Sequence, residues 1–177
     1  MTTTPLHPVP RHPAPARWAV LAAHTTALLT LPTGLWRVLL AAGQPAGYTD
    51  AGYEAMGVTG WTAVYVVGLS VASEALALLT LGLVRPWGEV VPRWMPWIGG
   101  RTVPVMAAVV PAGLGAVALT ALWTPFAWWW SVPHPDMTPL GDALVGLAYL
   151  PLVAWGPLLG AVTFSYHRRR RLAVAAR

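Results

Sequence analysis

Apolar positions fall into four long runs, about 18–41, 61–84, 102–123 and 139–164, separated by shorter polar stretches rich in glycine and proline. Each run reaches the ~20 residues that an α-helix needs to cross ~30 Å of hydrocarbon. In lipid the backbone must satisfy its own N–H and C=O groups, so such runs are expected to be helices. Pro32, Pro104, Pro111, Pro151 and Pro157 lie within them, where a transmembrane helix tolerates proline as a kink. The pattern therefore predicts an all-α protein, a four-helix transmembrane bundle over residues 17–166. Residues 1–16, "MTTTPLHPVPRHPAPA", have no apolar period and are expected to form a disordered tail. The first apolar run exceeds the 7–15 residues of a signal-peptide core, so a retained helix is expected there. Residues 167–177 form a basic tail.

Charge orients this pattern. Arg11 and Arg17 precede the first run. Arg85, Arg93 and Arg101 lie in the loop "RPWGEVVPRWMPWIGGR", and Arg168 to Arg171 and Arg177 follow the last run. The other two loops, "AGQPAGYTDAGYEAMG" and "TPFAWWWSVPHPDM", contain Asp50, Glu54 and Asp136 but no arginine. Ten of the eleven arginines thus fall on one side, and the positive-inside rule places both termini in the cytoplasm.

Composition agrees. Of 177 residues, 56% are hydrophobic and 10% charged, against about 25% charged in soluble domains, and the mean hydropathy is +0.56. Cysteine is absent, which excludes disulfides, thiolate nucleophiles and cysteine metal sites. The net charge of +5 could suggest nucleic acid, but the arginines cluster beside apolar runs. The expected partners are therefore the bilayer and its anionic headgroups at the cytoplasmic face, not nucleic acid. Trp18, Trp87, Trp94 and Trp97 are expected at the inner membrane interface, and Trp36, Trp61, Trp123 and Trp128 to Trp130 at the outer one. The "WWW" run could itself form a short helix along that surface.

Candidate chemistry rests on ionisable residues inside the runs, which cost roughly 2.5–3.5 kcal/mol each on insertion scales. They are His24, Arg37, Glu74 and Asp142. At 1.5 Å per residue, Glu74 lies about 2 Å inward of the bilayer centre, Arg37 about 11 Å outward and Asp142 about 14 Å outward. Arg37 and Asp142 share a level, so a salt bridge between the first and fourth runs is expected. Arg37 and Glu74 differ by about 13 Å in depth, too far for direct contact. Helical periodicity puts Thr26, Thr30, Thr33 and Arg37 on one face, and Ser70, Ser73, Glu74 and Ala77 on another. In the fourth run a stripe joins Asp142, Gly146, Tyr149, Val153, Gly156 and Gly160, with a close-packing G-x-x-x-G at its end. A pocket lined by Arg37, Glu74, Asp142 and Tyr149 is expected, with Glu74 as the catalytic acid if there is one and the other three as ligand contacts. The alternative is plain bundle adhesion, with Glu74 bonded to a serine or threonine on a facing helix.

Weaker signals change little. "GLGAVA" at Gly113 to Ala118 imitates a dinucleotide fingerprint but has no strand before it. Ser131, His134 and Asp136 have the residue types of a hydrolytic triad but lie within six residues of a proline-rich loop. His7 and His12 lack further ligands, so no metal site is expected, and no motif asks for a cofactor.

The runs "LTLGLVRPWGEVVPRWMPWIGGRTVPV", "YVVGLSVASEALAL" and "LPTGLWRVLLAAG" resemble a group of actinobacterial four-helix integral membrane proteins. The resemblance spans about two-thirds of the chain. It implies a compact multipass protein of the plasma membrane and transfers no catalytic residue. Three functions follow as expectations. The first is a non-enzymatic protein that binds an apolar ligand or a membrane protein partner, or supports an envelope process. The second is a small cyclase-like enzyme, with Glu74 as general acid on an isoprenoid-type substrate. The third is a proton-coupled minimal transporter subunit. The first is preferred, because neither a second carboxyl at the depth of Glu74 nor an internal repeat is visible.

Overall fold

A computed structural model describes residues 14–97 and 99–175. Residues 1–13 of the expected disordered tail lie outside this range, as does Arg177. Among the described residues the protein is all-helical, as expected. No strand forms, and the extended pairings are two isolated antiparallel bridges, Tyr48 with Met137 and Val90 with Thr102. The helices are α1 (Arg17–Leu29), α2 (Leu31–Ala41), α3 (Asp50–Met56), α4 (Trp61–Gly82), α5 (Val105–Trp123), α6 (Pro139–Tyr149) and α7 (Trp155–Ala175). Turns of 3₁₀ helix occupy Pro86–Gly88, Thr124–Ser131 and Leu150–Ala154.

The expected count of four continuous helices is corrected. Three helical stretches are long and apolar enough to cross a membrane: Trp61–Gly82, Val105–Ser131 and Pro139–Ala173. The run at 18–41 is instead two helices, α1 and α2, broken at Thr30. Pro32 supplies the reason: it has no N–H, and its ring crowds the carbonyl four residues back. Thr30 keeps helical dihedrals (φ −83°, ψ −21°), so the chain bends without turning back. The run at 139–164 also loosens, through the 3₁₀ turn around Pro151. At its far end the basic tail expected from residue 167 continues α7 as helix to Ala175.

The helices pack around α1, which meets α4 and α7 about equally. The most extensive contact joins α5 to α7, while α4 packs on α2 and α1. α1 also touches α7, and α2 touches α6. α4 and α5 are consecutive long helices, yet they form no extensive contact with each other. The G-x-x-x-G of the fourth run lies in the α5–α7 contact. A Cβ on Gly156 would stand 2.5 Å from the Thr120 amide nitrogen and 2.7 Å from the Ala116 carbonyl oxygen, and closer still to the Thr120 hydroxyl. A Cβ on Gly160 would meet only the Ala116 methyl, at 3.6 Å.

The two ends of the bundle differ. At the basic end, Tyr166 Oη donates to Gly88 O (3.2 Å). Arg169 donates to Leu83 O (3.2 Å) and to Glu89 Oε1 (2.8 Å). Arg170 reaches Glu89 Oε2 (3.3 Å) and Val103 O (3.1 Å). The last turns of α7 thus hold the loop between α4 and α5. At the opposite end the loops before α3 and α6 clasp each other, Thr49 N donating to Asp136 O and Thr138 N to Gly47 O, both at 2.9 Å.

Gly156→Val is expected to destabilise the fold by about 1–3 kcal/mol, the usual cost of overpacking a filled contact. Gly160→Ala places its methyl at ordinary contact distance and should change stability by less than about 0.5 kcal/mol. Unfolding of both variants in detergent, followed by circular dichroism, measures the contrast.

Candidate functional site

The site begins with the threonine stripe of α1 and α2. Thr26, Thr30, Thr33 and Arg37 are all buried, as the helical spacing predicts. In an apolar setting a hydroxyl needs a partner, and these find theirs nearby: Thr26 Oγ1 donates to Ala22 O and Thr33 Oγ1 to Thr30 O, both at 2.9 Å. Arg37 is only 7% exposed. Its guanidinium lies 5.5 Å from the centre of the Tyr149 ring. Among the described residues no carboxylate lies within ion-pair distance of it. An aromatic face attracts a cation through the ring quadrupole, by about 2 kcal/mol or more when desolvated.

Tyr149 ends α6 within an aromatic cluster. Phe126 stacks on it at 5.1 Å and Trp36 meets it edge-on at 5.4 Å. Trp123 lies at 5.8 Å. Phe126 in turn stacks on Trp129 (5.4 Å), and Trp129 on His134 (3.8 Å). Trp36 Nε1 donates to Ala46 O (2.9 Å), which ties the cluster to the loop after α2.

Asp142, in the first turn of α6, closes the other side. It accepts from Trp129 Nε1 (2.8 Å), and its Oδ1 lies 2.9 Å from His134 Nδ1. That second approach is close but makes no aligned hydrogen bond. Its position near a helix N-terminus also favours a carboxylate there. The expected Arg37–Asp142 salt bridge is therefore absent. Matching depth placed both residues at one level, but Asp142 turns to the ring nitrogens of Trp129 and His134 and Arg37 turns to Tyr149.

Glu74 stands apart. Its Oε2 accepts from Thr30 Oγ1 at 2.5 Å. Thr30 lies seven residues before Arg37, about 10 Å along a helix. Glu74 lines an open groove between α2 and α4, with Leu31, Pro32, Leu35, Val38 and Val71. The structure thus joins Arg37 and Tyr149, brings Asp142 to the same aromatic cluster, and leaves Glu74 on a separate groove. His24 belongs to neither: its Nδ1 is 2.7 Å from Val20 O and its Nε2 is 3.4 Å from Arg85.

Sequence reasoning missed Phe126, Trp129 and His134. Trp123 and Trp129 were expected at the outer interface, but Trp123 is buried and Trp129 is sandwiched between two rings. The available signal was density: five aromatic residues lie between Trp123 and Trp130, with His134 close behind. Chemically, a buried cation beside an electron-rich cluster can receive an anionic group. Among the described residues no cluster of three or more His, Cys, Asp or Glu could hold a metal ion. Comparison with protein-family models, curated proteins and solved structures returns no match to this chain.

Two measurements check this geometry. A double-mutant cycle of Arg37→Met with Asp142→Asn should give a coupling below about 0.5 kcal/mol, as for residues without shared partners. Arg37→Met with Tyr149→Leu should couple by about 0.5–2 kcal/mol. The second measurement concerns Tyr48, in the loop after α2. Burial, then the Asp136 carboxylate, then Tyr149 push its phenol up to about 12 from 10.0. A folded value raised above the unfolded one gives stability that is complete below pH 10 and is lost as pH rises through about 12. Tyr48→Phe should therefore lose less stability than the parent across that window in an alkaline unfolding series.

Proposed function

We propose that this is a multipass plasma-membrane protein with four spans and both termini cytoplasmic, and that it binds a membrane partner without performing chemistry on it. The observation that carries the reading is the division of charge between the ends of the bundle. Arg17, Arg85, Arg93, Arg101 and Arg168 to Arg171 belong to the basic end, while the opposite loops hold only Asp50, Glu54 and Asp136. Leu21, Leu35, Val71, Leu114, Val117 and Phe164 all face outward, an apolar surface suited to lipid. α1 and α2 contribute 13 and 11 residues; with Thr30 between them they total 25, about 37 Å of helix, enough for the fourth span.

The basic end also suits anionic headgroups. Trp94 and Trp97 stand out from the loop between α4 and α5, Trp97 at 95% exposure, beside exposed Arg93 and Arg101. Indole and arginine together anchor a loop at a lipid interface. The non-enzymatic part of the reading draws on Glu74. Its hydrogen-bond partner among the described residues is the Thr30 hydroxyl, and no second titratable group is bonded to it. No second titratable group is in contact with Glu74 to relay a proton to it.

The chain has no cysteine, so single introduced cysteines test topology cleanly. Cysteines at Gln44 and Pro135 should react with an impermeant maleimide on intact cells, and those at Arg93 and Leu172 only after lysis. Reaction of either of the last two from outside would refute the topology. Glu74→Gln still accepts a hydrogen bond from Thr30, so it should keep stability within about 1 kcal/mol and restore the phenotype of a deletion strain. A stable Glu74→Gln protein that fails to restore it would instead indicate proton chemistry at Glu74.

A further inference from the structure

Three of the four ionisable residues in the apolar runs are buried or held by neighbours. Arg37 is buried over Tyr149. Asp142 meets Trp129 and His134. His24 has a neighbour at each ring nitrogen. Glu74 differs. Its Oε2 accepts from Thr30 Oγ1, while its Oε1 has no hydrogen bond from any described residue and is not a buried atom. That oxygen is open to the groove between α2 and α4, which Glu74 lines.

The groove encloses about 780 Å³. Leu28, Leu31, Leu35 and Val38 line it over about 15 Å of helix axis, and all four are exposed. Gly34 and Ser70 contribute small residues to it. A Cβ on Gly34 would meet nothing within 4 Å, and a small residue in such a place lets a neighbouring backbone come close. The Ser70 hydroxyl donates to Val66 O (3.1 Å). Glu74 Oε1 is thus the polar atom that the groove leaves open to a newcomer.

Depth narrows what can reach it. Glu74 lies within about 4 Å of the middle of α4. In a spanning helix that is roughly 10 Å or more below either headgroup layer, so a headgroup hydroxyl or amine does not reach it. A donor has to come from within the hydrocarbon, where its ordinary carrier is a polar side chain on another membrane helix. A lysine or arginine at that depth is costly to insert, whereas an amide donates without charge. A second copy of the chain offers little at this level, because its own hydroxyls are engaged: Ser70 and Ser73 on their own helix and Thr30 on Glu74.

We infer that the α2–α4 groove docks a transmembrane helix of another protein, and that an asparagine or glutamine amide near the middle of that helix donates to Glu74 Oε1. Leucine and valine side chains of the groove receive its apolar face, and Gly34 gives the point of closest approach. The inference rests on the reading above that the protein binds a membrane partner, and it names the site and the chemistry of that partner. Topology is read by cysteine labelling and docking by a peptide, so each can fail without the other.

The test uses the full chain in phosphatidylcholine vesicles. The guest is a synthetic leucine helix with lysines at both ends, one central asparagine, and a diazirine-bearing leucine one turn away. The same peptide with leucine in place of asparagine is the reference. After irradiation, peptide mass spectrometry should place the asparagine peptide on residues 28–38 and 70–74. The reference should label these segments about threefold less, the scale of one interhelical hydrogen bond in lipid. Glu74→Leu should lower capture of the asparagine peptide to the reference level. Glu74→Gln should keep it within about twofold, because an amide still accepts from both Thr30 and the guest. Gly34→Leu should cut capture of both peptides at least threefold by filling the groove, with the circular dichroism of the parent. Equal capture of the two peptides by the parent would overturn the inference, as would labels spread over every outward face. A central-lysine peptide captured better than the asparagine peptide would overturn it too. So would a dimer of the parent cross-linked through α2 or α4, since a second copy would then occupy the groove.

Discussion

The approach of α5 to α7 at Gly156 governs the rest of the architecture. Thr120 and Ala116 lie so close to Gly156 that no side chain fits between the helices. In an apolar surrounding such contact is a main source of adhesion, because burying a leucine against another helix gains little over leaving it in lipid. α5 is thereby committed to α7. α4 lies against α2 and α1 instead, and the helices of the α4–loop–α5 hairpin remain apart along their length. The cleft between them is a consequence of where the small residues are placed.

Polar groups follow the same logic of local supply. Within the helical runs, hydroxyls mostly return to the backbone of their own helix. Arg37 has an aromatic ring in place of a counter-ion, and Asp142 has a tryptophan N–H and a histidine. Each burden is met within a few ångströms, so the four ionisable residues of the apolar runs do not gather into one centre.

Helix class and placement were legible in the sequence, because apolar run length and proline positions act locally. The stripe Thr26, Thr30, Thr33, Arg37 and the packing at Gly156 were legible for the same reason: spacings of three and four residues need no knowledge of neighbours. The alternative in which Glu74 bonds a threonine on a facing helix corresponds to its contact with Thr30. What failed was inference across elements. Depth alone paired Arg37 with Asp142, yet the partner of each depends on rotation of α2 and α6, which the loops set. The 3₁₀ segment at 124–131 turns Phe126 and Trp129 inward, and no apolar count distinguishes such rings from an interfacial belt. The break at Thr30 was visible as Pro32, but not its extent.

The clamp of α7 on the loop between α4 and α5 gives the four-arginine run two different strengths at two times. Before the chain folds, all of Arg168 to Arg171 are available, and any response to charge sees the whole run. Once folded, Arg169 is buried and both it and Arg170 are engaged by Glu89, leaving Arg168 and Arg171 exposed. The folded protein therefore presents to its surroundings about half the charge that the run carries. A sequence-based charge count thus describes the nascent chain better than the mature surface.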